Sequence, residues 1–167
     1  MERLVSLSQE TVGLGMLADG HHVYIAQEEC PQELRWVVRI GMPAPLNMGA
    51  GPRAVLGYLP EREREAIIEG LSFEDAGPTA PQDAEGLREV LAEIRRTGIS
   101  LNYGERIGQS AGIAVPILGR GGRPVGALAL GGAEARLTEQ TLNDLREPLL
   151  AATRELSRQL GYIGALP

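Results

Sequence analysis

Two glycine-containing turns, at residues 19–20 and 120–122, constrain the fold of this chain more than any other feature. Asp19-Gly20 and Arg120-Gly121-Gly122 supply the positive φ angles that tight hairpin turns require. Segments joined by such turns pair as antiparallel strands. The four segments predicted to form these two hairpins are residues 11–18, 21–27, 110–118 and 124–130.

Two further strands and several helices follow from local patterns. Residues 34–40, with Trp36 between apolar and arginine neighbours, predict a third strand that ends at Gly41, and residues 99–103 predict another. Apolar residues at helical spacing predict a short helix near Met1 and helices over 53–58, after Pro60, up to Thr97, and from 139 to about 161.

The order of these elements favours one α+β domain over residues 1–167. Hairpins dominate, and the alternating β-α-β pattern of a parallel sheet is absent. We therefore expect a six-stranded, mainly antiparallel sheet flanked by helices. The length and the 43% hydrophobic content suffice for one core without disulfides or metals.

The composition excludes several functions. The net charge of −6 and the pI near 5.0 argue against nucleic-acid binding by this segment alone. All 16 basic residues are arginines, so a P-loop lysine and Schiff-base chemistry are ruled out. The lone Cys30 gives no sign of an oxidising compartment, and we find no signal peptide or membrane span in the sequence. We expect a soluble, cytoplasmic protein.

The sequence provides no convincing catalytic, metal or cofactor site. His21 and His22 are adjacent strand residues that point to opposite faces, so both cannot easily reach one ion. Acidic neighbours, including Glu28 and Glu29, would disfavour a reactive thiolate at Cys30. The glycine-rich run at 121–132 lacks the signature of a phosphate-binding loop.

The most informative segment is PLNMGAGPRAVL, residues 45–56. Gly49, Ala50 and Gly51 leave backbone N–H groups accessible just before a predicted helix, where they and the helix dipole favour a carboxylate. The alternative interpretation is a loop that simply requires small residues.

With these segments identified, the chain resembles the C-terminal effector domain of the isocitrate lyase regulator (IclR) family. The resemblance rests on the order and spacing of four segments. They are ETVGLGMLADGHHVYIAQ, IGMPAPLNMGAGPRAVLGYLP, IRRTGISLNYGERIGQSAGIAVPI and RPVGALALGGAEARLT.

The resemblance implies a GAF-like domain that binds a small metabolite and forms a homodimer or homotetramer. It also implies that DNA is contacted only by a separate N-terminal winged helix-turn-helix domain. The family's Thr or Ser falls on Gly49, its lysine falls on Arg53, and its acid falls on Glu105. Of the positions where relatives place polar ligand contacts, only Asn102 keeps a polar side chain.

We therefore predict a ligand pocket, with the effector being either a carboxylic acid or a more apolar metabolite. A chain cut within a linker helix at Met1 and a stand-alone sensor or dimerisation module are both compatible with the sequence. An enzyme on the same scaffold is disfavoured, because reductase chemistry of that kind needs several cysteines. The predicted pocket residues are Leu46, Met48, Gly49, Ala50, Gly51, Asn102, Ser110, Gly112, Ala129 and Gly131.

Overall fold

A computed structural model describes residues 1–105 and 108–164, so the last three residues of the predicted domain lie outside the described part. The elements confirm the predicted α+β class. In chain order they are α1 (Glu2–Ser8), β1 (Thr11–Ala18), β2 (His21–Glu28), β3 (Pro43–Ala44), α2 (Ala50–Tyr58), α3 (Glu61–Glu69), α4 (Ala84–Thr97), β4 (Ser100–Tyr103), β5 (Ser110–Leu118), β6 (Pro124–Ala133) and α5 (Glu139–Gln159).

The strands form one antiparallel sheet in the order β3-β2-β1-β6-β5-β4. Both predicted hairpins are present, as β1–β2 and β5–β6. They lie side by side because β1 pairs with β6, with Gly13 opposite Ala129 and Met16 opposite Gly126. This long-range pairing places strands from the two ends of the chain at the centre of the sheet.

The two faces of the sheet differ in side-chain size. Because side chains alternate between faces along a strand, β5 and β6 present large residues on one side and small residues on the other. The large-residue face carries Ile113, Val115, Ile117, Leu128 and Leu130. The small-residue face carries Gly112, Ala114, Ala127, Ala129 and Gly131.

Helix α5 covers the large-residue face with Leu142, Leu145 and Leu149, which are all buried. Its first turn is capped by Thr138, whose Oγ1 accepts a hydrogen bond from the Thr141 N–H at 3.3 Å. Within residues 1–105 and 108–164, no helix combines the length and the apolar character that crossing a membrane requires.

Helices α2 and α4 cover part of the small-residue face. The alanines and glycines of this face let α2 approach β5 and β6 closely, and Ala54, Val55 and Leu56 are completely buried. Helix α4 packs behind α2 through Leu87, Leu91 and Ile94. The core therefore has two parts, one on each side of the sheet.

The prediction of a strand over residues 34–40 was wrong. The third strand is instead Pro43–Ala44, which pairs with Val23 and His22 at the sheet edge. Residues 29–42, which we call the strap, have an irregular conformation, and the part from Trp36 to Met42 lies over the small-residue face. Strand propensity reflects packing on a pleated surface, and here Trp36 packs onto the face of the sheet and not along its edge.

The cap of α4 provides a test of the fold. The Asp83 carboxylate accepts a hydrogen bond from the Gly86 N–H at 2.8 Å. Asp83→Ala removes this bond, and we expect a loss of about 1 kcal/mol in the free energy of unfolding, measured with urea. Replacing the exposed Glu89 of the same helix with alanine is the control and should change it by less than about 0.5 kcal/mol. Equal effects of the two substitutions would contradict this role for the cap.

Candidate ligand-binding cavity

A cavity of about 420 Å³ lies between the small-residue face, the strap and the N-terminus of α2. All the predicted pocket residues except Leu46 line it. Leu46 is 1% exposed and packs in the core around α2, so its place in the predicted pocket was wrong. The predicted residues on the cavity wall are Met48, Gly49, Ala50, Gly51, Asn102, Ser110, Gly112, Ala129 and Gly131.

Two aromatic residues on the cavity wall escaped the sequence analysis. Tyr24 of β2 and Trp36 of the strap both line the cavity, and their rings meet edge to face with centroids 5.5 Å apart. The sequence predicted Trp36 to lie in a strand, and a strand residue would not be expected to lie over the face of the sheet. One sequence feature could have drawn attention to Trp36, because it is the only tryptophan of the chain.

His22 lies behind this aromatic wall and is completely buried. Its ring contacts Tyr24 edge to face at 4.6 Å, and neither ring nitrogen has a hydrogen-bond partner within the described residues. Burial lowers the pKa of His22 from 6.5 to about 4, so the imidazole is neutral at physiological pH. His22, Tyr24 and Trp36 form a row of rings that runs from the interior to the cavity.

The N-terminus of α2 already has an anionic partner from the chain itself. Gly49, with φ of 91°, donates its N–H to the Glu105 carboxylate at 3.1 Å. The N–H groups of Ala50 and Gly51 begin the helix, where no carbonyl of the preceding turn is available to accept them. A ligand carboxylate at this helix end was one of the two interpretations of the sequence, and Glu105 occupies part of that role.

Arg53 and Glu105 form a buried ion pair below the cavity. Their side chains are 1% and 4% exposed, and Arg53 Nη2 lies 2.5 Å from Glu105 Oε1. Arg53 Nη1 donates to the other carboxylate oxygen, and Nη2 also donates to the Leu101 carbonyl at 2.7 Å. The pair joins the first turn of α2 to the end of β4 and holds two walls of the cavity together.

Asn102 is a polar residue of the cavity wall. Its Oδ1 is shielded from solvent and has no hydrogen-bond partner in the part of the chain that the structure describes. A buried amide oxygen without a partner is unfavourable unless a ligand or water donates to it. Asn102 lies on the small-residue face, opposite Gly112 of β5.

A second, larger groove of about 580 Å³ lies on the other side of the sheet, between β4 and the start of α5. It is more open to solvent than the cavity, and two glutamates, Glu134 and Glu139, stand on its rim beside Arg146. None of the predicted pocket residues lines it. The cavity is the less open of the two, and the Asn102 oxygen on its wall has no partner in the described part of the chain, so the cavity is the better candidate site.

The groups considered as metal ligands do not come together. His22 is buried whereas His21 is exposed, and Cys30 lies in the other core, with its Sγ 3.9 Å from a Glu10 carboxylate oxygen. Among residues 1–105 and 108–164, no group of three or more His, Cys, Asp or Glu side chains could hold a metal ion.

The buried ion pair provides one test of this geometry. Glu105→Gln leaves Arg53 buried without a counter-charge, so we expect the free energy of unfolding to fall by about 3 kcal/mol or more. The matched control is Glu93→Gln, because Glu93 pairs with Arg96 on the surface of α4 with 56% exposure. The control should lose less than about 1 kcal/mol. A similar small loss for both variants would contradict the clamping role.

The buried histidine provides a second test. Above pH 6.5 both the folded and the unfolded chain hold His22 neutral, but between pH 6.5 and about 4 only the unfolded chain gains the proton. Stability should therefore fall as the pH drops through this window, by about 3 kcal/mol in total from His22. His22→Phe should flatten that part of the pH profile in urea unfolding. His21→Phe is the matched control, and an identical profile for both variants would refute the assignment.

Comparison with known proteins agrees with this architecture. Residues 1–158 match the family model of the bacterial transcriptional regulator IclR C-terminal domain. The chain is 31% identical over 162 residues to the HTH-type transcriptional regulator KipR of Bacillus subtilis, covering 97% of this chain and 65% of KipR. It is 30% identical to the HTH-type transcriptional regulator KdgR of Escherichia coli, covering 97% of this chain and 62% of KdgR.

Solved structures of the same family superpose closely. The crystal structure of Thermotoga maritima IclR matches with a TM-score of 0.92 and 26% identity, covering 96% of this chain and 65% of that one. The C-terminal domain of Escherichia coli KdgR matches with a TM-score of 0.85 and 28% identity, covering 97% of this chain and 94% of that one. The chain therefore belongs to the IclR family and corresponds to its C-terminal domain.

Proposed function

We propose that the whole chain acts as one effector-binding domain, and that its effector is a small molecule held in the cavity. The observation that carries this proposal is a partly enclosed space of about 420 Å³ lined by Asn102, whose amide oxygen has no hydrogen-bond partner among residues 1–105 and 108–164. The family's regulators supply the biological context. A binding module explains these features without any catalytic group, so we propose that the domain is not an enzyme.

In this proposal DNA is contacted by a separate N-terminal domain. The chain spans 65% and 62% of the length of KipR and KdgR, which are both named HTH-type regulators. The net charge of −6 offers no surplus of cations for phosphate contacts. We propose a cytoplasmic location, in keeping with a role in transcription.

We further propose that the domain forms a homodimer or homotetramer. The apolar residues of α5, including Leu142, Leu145 and Leu149, are buried in the domain's own core and do not provide an interface. A better candidate surface is formed by Met16 and Ile25 on β1 and β2, which are 42% and 48% exposed. Gly15 faces the cavity side, so Met16, the next residue of β1, faces away from it, and Ile25 is the unpaired residue of the bulge in β2, between Tyr24 and Ala26. Two copies can bury these side chains against each other.

Ligand binding is tested by thermal shift with a panel of metabolites. A compound at a hundredfold its dissociation constant should stabilise the domain by about 2.7 kcal/mol. Asn102→Leu removes the amide oxygen and should abolish the response. Asn143→Leu, in the groove on the other side of the sheet, is the matched control and should leave the response intact. A response that survives Asn102→Leu but not Asn143→Leu would mean that the ligand binds in the groove on the other side of the sheet, which would contradict the proposed site.

Self-association is tested by light scattering at tens of micromolar. We expect the unmodified chain to be at least dimeric and the double variant Met16→Glu, Ile25→Glu to be monomeric. Leu34→Glu is the control, because Leu34 is 73% exposed but lies on the strap. A monomeric unmodified chain would overturn the oligomer proposal, and a dimeric double variant would overturn the choice of surface.

A further inference from the structure

Trp36 occupies a place on the sheet that glycines leave open. A Cβ added at Gly131 would lie 2.8 and 2.9 Å from indole carbons Cε3 and Cδ2, and one added at Gly13 would lie 3.3 Å from Cη2. Both distances to the Gly131 position are shorter than carbon atoms tolerate. The indole therefore spans β1 and β6, and its position depends on the absence of a side chain at residue 131.

Because residue 131 is glycine, it also places no polar side chain on the cavity floor. No side chain at 131 or 129 can hydrogen-bond a ligand, because these residues are glycine and alanine. The indole instead supplies a carbon surface, and Tyr24 meets it edge to face at an interplanar angle of 77°. The cavity thus has an aromatic wall in front of a floor of small residues.

Hydrogen bonds on both sides of Trp36 hold the strap against the rest of the domain. The Val38 N–H donates to the Gln27 side-chain oxygen at 2.9 Å, and the Gly41 N–H donates to the Tyr24 carbonyl at 2.9 Å. On the other side, Arg136 donates to the Leu34 carbonyl at 2.9 Å. The tryptophan is therefore a fixed part of the cavity wall.

We propose that Trp36 determines the specificity of the cavity and selects a ligand with a flat, unsaturated ring. This inference rests on the proposed effector-binding function and names the ligand class of that site. The ring packs against the indole and Tyr24, and a hydrogen-bond donor on the ligand, such as an amide N–H, pairs with Asn102 Oδ1. Glu105 already contacts the N-terminus of α2, which favours a neutral polar group over a carboxylate.

The test compares fragments that differ only in ring saturation. The probes are benzamide against cyclohexanecarboxamide, and 2-pyridone against 2-piperidone, with dissociation constants measured by ligand-observed NMR. Aromatic pairing should give the unsaturated member of each pair an advantage of about two- to tenfold. Because Trp36 is the only tryptophan, its fluorescence should also change when these fragments bind.

Three variants make the test specific. Trp36→Leu keeps an apolar wall and should bind both members of each pair alike. Gly131→Ala forces the indole to move and should likewise bind both members of each pair alike. This second variant keeps the proposal testable if Trp36→Leu does not fold. Ile40→Ala, on the same strap but half-exposed and away from the cavity lining, is the control and should retain the preference. Circular dichroism verifies that each variant is folded.

Each outcome bears on the proposal. Loss of the aromatic preference in Trp36→Leu and Gly131→Ala, with retention in Ile40→Ala, supports it. Equal binding of the paired fragments by the unmodified chain, or a preference that survives both substitutions, overturns the role of Trp36 but leaves effector binding intact. Absence of any fragment binding to the unmodified chain counts against the proposed function itself.

Discussion

The small-residue face of β5 and β6 is the constraint on which the rest of the structure depends. Over residues 112–115 and 127–131, alternate positions hold glycine or alanine on one side and leucine, isoleucine or valine on the other. The large side chains form a conventional core with α5. The small ones create a smooth surface that α2 can approach at one end and that leaves open volume at the other. Replacing the small residues with large ones would fill the cavity and push α2 away.

The Arg53–Glu105 pair fixes how that open volume is bounded. Its bidentate geometry and its additional bonds to Gly49 and Leu101 pair both carboxylate oxygens and both terminal guanidinium nitrogens, and Arg53 Nε is the buried atom of the pair that has no partner among the described residues. The pair connects the loop before α2 with the end of β4, and Asn102 follows Leu101 directly. A ligand that contacts Asn102 and the N-terminus of α2 would therefore touch both elements that the pair connects.

The sequence was sufficient for most elements and insufficient for the strap. The hairpin at Asp19-Gly20 and helix α4 were predicted because turn residues and 3.6-residue periodicity are local signals. The strap failed because Trp36 and its neighbours have strand propensity, whereas their actual partner is the face of the sheet. Burial of His22 and of Leu46 is likewise a tertiary property. The pairing of Arg53 with Glu105 involves residues far apart in sequence, and only the family resemblance placed both at special positions.

The most direct measurement of the central claim is to map the binding site of a stabilising compound by NMR. Backbone amide shifts would be followed while a compound from the thermal-shift panel is titrated into the unmodified chain. The account predicts that the largest shifts fall on Ala50, Gly51, Asn102 and Gly131, around the cavity. Shifts confined to Tyr103, Asn143 and Arg146, in the groove on the other side of the sheet, would contradict it.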